Sequence, residues 1–104
     1  MFALETLAEI VARRAGADAQ SSYTRALLEK GAARCAQKFG EEATELVIAS
    51  VAGDDAALVA EAADVLYHLL VLLQARQAPL AAVMAELERR TAQSGHAEKA
   101  ARPK

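Results

Sequence analysis

Large rings are scarce in this chain. Its 104 residues hold no tryptophan, two tyrosines and two phenylalanines, 4% aromatic in all. One cysteine, Cys35, excludes an internal disulfide framework and fits a reducing, cytoplasmic compartment. No β-period run, internal repeat, Gly-rich phosphate loop or Cys/His zinc spacing is present, and no Gly-x-Ser-x-Gly elbow. No uninterrupted apolar run reaches about 18 residues, which argues against a membrane span. The stretch Met1 to Arg14 carries Glu5 and Glu9 where a signal peptide would be basic and then apolar. Charge is nearly balanced, 12 Lys+Arg against 14 Asp+Glu for a net of −2, so nothing general attracts nucleic acid.

What is present is alanine. The chain is 54% hydrophobic, and 27 Ala with 13 Leu supply most of it. A length near 100 residues predicts a single domain over 1–104. Small side chains suit closely packed helices and do not suit a sandwich or barrel. They also bury little area each, so part of the core is expected to lie between two subunits. The expectation is an all-α, antiparallel helical bundle whose core is completed by dimerisation.

Five segments can be marked. An N-terminal helix over Phe2 to Arg14 and a loop through Gly16 to Gln20 make up residues 1–20. Ser22 or Thr24 can cap a short helix that runs to about Lys30, with Gly31 ending it. A long helix spans about Ala32 to Ala52. Gly53 stops it, and Asp54 caps a second long helix over about Asp55 to Arg76. Pro79 fits the first turn of a last helix ending near Arg90 or Thr91. Residues 93–104 form a polar tail.

The acids on the two long helices carry the chemistry. On the first, Lys38, Glu41, Glu42 and Glu45 fall within ~100° of one another. Cys35, Ala36, Phe39, Ala43, Leu46, Val47 and Val51 take the other side. Alone this is an ordinary amphipathic helix with a Lys–Glu pair on its wet face. On the second, every residue from Ala56 to Leu73 is apolar or Tyr67, except Glu61, Asp64 and His68, which share one stripe. A helix apolar all round elsewhere should be buried, and buried carboxylates need a partner or a metal. A core salt bridge or a narrow wet seam would satisfy them. So would a cation, and spacing favours it. The Gly53-Asp54 connection makes the helices antiparallel neighbours. Counted from that turn, Glu45 and Glu61 both lie about eight residues away, and Glu42 and Asp64 about eleven.

Converging carboxylates without cysteine suit Mg²⁺, Mn²⁺ or Ca²⁺. A di-iron site would need Glu-x-x-His on two helices, and neither His68 nor His96 has a Glu three residues before it. Carboxylate-held Mg²⁺ commonly serves phosphate chemistry. Without the five acids, nine acidic residues face twelve basic ones. Lys30, Arg34, Lys38, Lys99 and Arg102 are then candidates to hold an anionic substrate. Cys35 reads as a small core residue, Tyr67 as core or subunit interface, and His68 as a neighbour of the carboxylates.

Glu41-Glu42-Ala43-Thr44-Glu45 followed by Glu61-Ala62-Ala63-Asp64 resembles the EExxE…ExxD signature of the all-α, MazG-like NTP pyrophosphatases. The flanks Ser22-Tyr23-Thr24, Leu28 to Gly31, Lys38 to Glu45, Glu61 to His68, and Ser94-Gly95 with Glu98-Lys99 are similar to the phosphoribosyl-ATP pyrophosphohydrolase family. That resemblance implies Mg²⁺-dependent conversion of phosphoribosyl-ATP and water to phosphoribosyl-AMP and pyrophosphate, the second step of histidine biosynthesis, by a stand-alone homodimer. It implies Glu42, Glu45, Glu61 and Asp64 as metal ligands. Glu41 would assist a second metal, and Glu41 or Glu42 would orient or deprotonate the attacking water. Lys38 would contact phosphate, with Ser22, Tyr23, Thr24, Lys30 and the Lys99 region as further substrate contacts. Two rivals stay open: a pyrophosphatase of ordinary or damaged nucleotides, and a non-catalytic dimer that binds a divalent ion for stability.

Overall fold

The structure, a computed structural model, describes residues 1–92. They form five helices: α1 (Leu4–Ala15), α2 (Tyr23–Glu29), α3 (Ala32–Ala52), α4 (Asp55–Ala75) and α5 (Leu80–Thr91). The polar tail expected over 93–104, with Lys99, lies outside the described residues. No strand occurs among the described residues.

The turn chemistry explains the boundaries. The Ser22 hydroxyl accepts from the Arg25 amide at 3.1 Å, which satisfies one orphan donor at the start of α2. Gly53 adopts a left-handed φ of 77°, which ends α3 at no side-chain cost. Asp54 then accepts from the amides of Ala56 (3.1 Å) and Ala57 (3.3 Å) to start α4. One glycine and one aspartate thus fold the two long helices into a hairpin, and α3 against α4 is the largest helix–helix contact.

Two ends differ from expectation. The first helix begins at Leu4, leaving Phe2 outside it and 67% exposed. Pro79 stands one residue before α5 rather than in its first turn, with an extended ψ of 141°. A proline there still has the fixed φ a helix entry needs.

The core sits at one end of the hairpin. Val11, Leu27, Cys35, Leu70 and Val71 are buried together, with Leu4, Leu7, Leu28, Leu72, Leu73 and Leu80 packed around them. The Cys35 thiol donates to the Leu27 carbonyl at 3.4 Å, and burial pushes its pKa up, so it packs as an inert core residue. The expectation that α4 is buried all round is overturned. Only His68, Leu70 and Val71 of α4 are buried. α1 and α2 supply core partners only to the stretch of α4 from Tyr67 onward. Toward the Gly53 turn, Val47, Ile48 and Val51 of α3 stand exposed, as do Val59 and Leu66 of α4. By length and mean hydropathy, 1.8, α4 would suffice to cross a bilayer. The carboxylates of Glu61 and Asp64 in mid-helix oppose that, because each is costly at the bilayer centre.

Candidate metal and substrate site

The α3–α4 hairpin brings the acids level. Glu42 from α3 and Glu61 and Asp64 from α4 each offer one carboxylate oxygen, all within 4.8 Å of one another. Glu61 and Asp64 are one turn apart on one helix, and Glu42 faces them across the antiparallel pair. Three like charges this close repel, and the pKa of Glu61 is pushed up. Partial burial contributes most, followed by the charges of Asp64, Glu42 and Glu45. Glu45 therefore lies near enough to act on Glu61, while its oxygens fall outside the tight group.

Two cations border the acids on α3. Lys38 lies 3.3 Å from Glu42, and Arg34 lies 3.5 Å from Glu41. The Lys38 ammonium is held above its ordinary pKa chiefly by its hydrogen bond to Glu42, so it stays charged. Glu41 is turned toward Arg34 and does not join the group of three. Glu61 and Asp64 form no ion pair among the described residues. A salt bridge to a basic side chain thus accounts for Glu42 and leaves the other two carboxylates without a counter-charge. Hard oxygen donors from facing helices, short of positive charge, fit a divalent cation of the Mg²⁺ type.

The hydroxyl segment before and within α2 flanks this site. Ser22 and Thr24 are buried, at 8% and 1% exposure. The Thr24 and Tyr67 hydroxyls share a 2.6 Å hydrogen bond that ties α2 to α4. Tyr23 lies near-parallel to Tyr67 with ring centroids 6.4 Å apart. His68, 5% exposed, packs edge-on against Tyr67 at 5.0 Å and Tyr23 at 6.3 Å. Burial lowers its pKa, Glu42 and Asp64 oppose that, and Lys38 adds to it. No hydrogen bond joins the imidazole to a carboxylate among the described residues. The histidine thus packs on the aromatic wall while lying near enough to feel Glu42 and Asp64.

Lys30 is exposed at the far end of α2, about 12 Å of helix from Ser22. It forms no ion pair with the acids among the described residues, where Arg34 and Lys38 pair with Glu41 and Glu42. Two residues carry more than the sequence suggested. Tyr67 borders a groove rather than only filling core, and Arg14 lines the same groove. The signal for Tyr67 was its place three residues after Asp64. No pattern in the chain singled out Arg14, since paired arginines are ordinary at a helix C-terminus.

The family model described as phosphoribosyl-ATP pyrophosphohydrolase matches residues 4–91. A protein named phosphoribosyl-ATP pyrophosphatase from Cereibacter sphaeroides is 61% identical, over 98% of this chain and 99% of its own length. Proteins of the same name from Azorhizobium caulinodans and Ruegeria pomeroyi are 60% and 58% identical. The first alignment covers 95% of this chain and 91% of that protein, the second 100% and 99%.

Proposed function

The chain belongs to the phosphoribosyl-ATP pyrophosphohydrolase family, and we propose that it hydrolyses phosphoribosyl-ATP to phosphoribosyl-AMP and pyrophosphate with the help of a divalent cation. The observation that carries this reading is the trio Glu42, Glu61 and Asp64, with oxygens from two helices within 4.8 Å. In this reading these three hold Mg²⁺, with Mn²⁺ as a substitute, and Glu45 completes the acidic wall. Bound there, the cation polarises phosphoryl oxygens and offsets the charge on the departing pyrophosphate.

The chain's own residues do the rest. Lys38 stays charged at the edge of the trio and exchanges Glu42 for a phosphate oxygen when the triphosphate arrives. Glu41, drawn out of the trio by Arg34, is the carboxylate left to orient the attacking water and take its proton. The groove of Ser22, Tyr23 and Thr24 receives the remainder of the nucleotide. Lys30 and Lys99 are secondary substrate contacts in the same reading.

The bare apolar strip Val47, Ile48, Val51, Val59 and Leu66 supports a homodimer in which a second copy covers the hairpin. A two-fold axis would let one strip cover its own equivalent. The chain then acts in histidine biosynthesis as a single-domain, soluble, cytoplasmic enzyme, without nucleic acid or membrane.

One assay tests substrate and metal together: pyrophosphate release from phosphoribosyl-ATP, with and without Mg²⁺, compared with ATP, dCTP and dUTP. Turnover of phosphoribosyl-ATP is expected only with the cation. Glu42→Gln, Glu45→Gln and Asp64→Asn are expected to abolish release while helicity by circular dichroism is kept. Wild-type release by Asp64→Asn would sink the ligand assignment. Faster turnover of an ordinary nucleotide would sink the substrate.

A further inference from the structure

The groove beside the acids is built unlike them. It encloses about 480 Å³ and is lined by Arg14, Ser21, Ser22, Tyr23, Thr24 and Tyr67. No carboxylate lines it among the described residues, and Arg14 is its one cation there. Arg13 and Arg14 both complement the negative C-terminal end of α1, but only Arg14 borders the groove. Its guanidinium, like those of Arg13 and Arg76, has no ion-pair partner among the described residues, whereas Arg25, Arg34, Arg89 and Arg90 each have one.

Neutral donors stand beside it. The Thr24 and Tyr67 hydroxyls share one hydrogen bond between two protons, so one proton is left over. Thr24 is 1% exposed, and Tyr67 borders the groove, so the spare donor is best presented by Tyr67. Burial pushes the Tyr67 pKa up and keeps the phenol a protonated donor, while the hydrogen bond from Thr24 and then the Arg14 charge oppose that, so Arg14 lies near enough to act on it. The exposed Tyr23 hydroxyl has no hydrogen-bond partner among the described residues. A guanidinium fork with phenolic donors is the chemistry of a phosphate monoester site.

The groove also adjoins the acids. Tyr67 lies three residues beyond Asp64 on α4, about 4.5 Å along the axis. Tyr23 and Tyr67 touch His68, which feels Glu42 and Asp64. A molecule with anions at both ends can therefore occupy both.

We propose that Arg14 is a specificity-determining residue that holds the terminal phosphate of the substrate's phosphoribosyl arm, with Tyr23 and Tyr67 as neutral donors. The proposal rests on the pyrophosphohydrolase reading above. ATP and AMP lack this arm, so the contact separates the substrate from the most abundant competitor.

The test compares wild type, Arg14→Gln and Arg14→Lys. KM for phosphoribosyl-ATP and inhibition by the products phosphoribosyl-AMP and AMP are measured with Mg²⁺. Wild type is expected to bind phosphoribosyl-AMP more tightly than AMP. Arg14→Gln is expected to raise KM about tenfold or more and to weaken phosphoribosyl-AMP by a similar factor, with AMP unchanged. Arg14→Lys recovers part of the loss, because charge returns without the fork. An unchanged ratio of phosphoribosyl-AMP to AMP inhibition in Arg14→Gln overturns the proposal. Equal weakening of both products leaves that ratio unchanged and marks a structural role. Absence of wild-type turnover overturns the underlying reading, and Arg14 falls with it.

Discussion

Replacing Tyr67 with phenylalanine removes one oxygen and strands another. The Tyr67 hydroxyl meets Thr24 at 2.6 Å, and Thr24 is 1% exposed, so water replaces the lost partner poorly. A buried hydroxyl left unpaired costs about 1–3 kcal/mol. In a domain of this size each kcal/mol moves the melting midpoint about 4–8 °C, so Tyr67→Phe should melt about 4–24 °C lower. The reverse deletion is milder. In Thr24→Val the stranded group is the Tyr67 phenol, which borders a groove and can be hydrated. That variant should lose under about 1 kcal/mol. The double variant removes both oxygens and should be less destabilised than the sum of the singles, with a coupling of about 0.5 kcal/mol or more. The assay is thermal and urea unfolding of all four proteins at one protomer concentration, since association would make the midpoint concentration-dependent. A Tyr67→Phe midpoint equal to wild type, or a coupling of zero, refutes the reasoning.

Acid pH should weaken α5. Glu86 is held at about 2 by hydrogen bonds from Arg89 and Arg90, against an ordinary 4.5. Its stabilisation is therefore present above the ordinary value and is lost as pH falls toward the depressed one. Melting curves should fall over that window in wild type and less in Glu86→Gln; parallel curves would refute the pair's role. Ile48→Glu places a charge in the bare apolar strip at a site 57% exposed in the single chain. Sedimentation should show a dimer for wild type and a monomer for this variant, and a wild-type monomer would remove the dimer.

Much of the fold was legible because its turns are chemically explicit. Gly53 and Asp54 mark the hairpin, and with the 3.6-residue period they bring Glu42 level with Glu61 and Asp64. The burial of α4 was not legible from periodicity, because an apolar helix looks alike whether its own chain or another covers it. Periodicity also cannot say which way a flexible side chain turns. Glu41, one residue from Glu42, goes to Arg34, a choice made by a cation two turns earlier. Tyr67 and Arg14 come together only through tertiary packing, between segments 53 residues apart in the chain.

The Gly53-Asp54 turn has a kinetic consequence. Glu42 and Asp64 are 22 residues apart, and a single hairpin closes them without help from the rest of the chain. Local closures of this kind cost little loop entropy and form early in folding. The acids can therefore meet before α1 packs on the end of α4, where Val11 and Val71 are 60 residues apart in the chain. Their mutual repulsion then opposes the first step of assembly, and a divalent cation present during refolding should speed that step as well as stabilise its product.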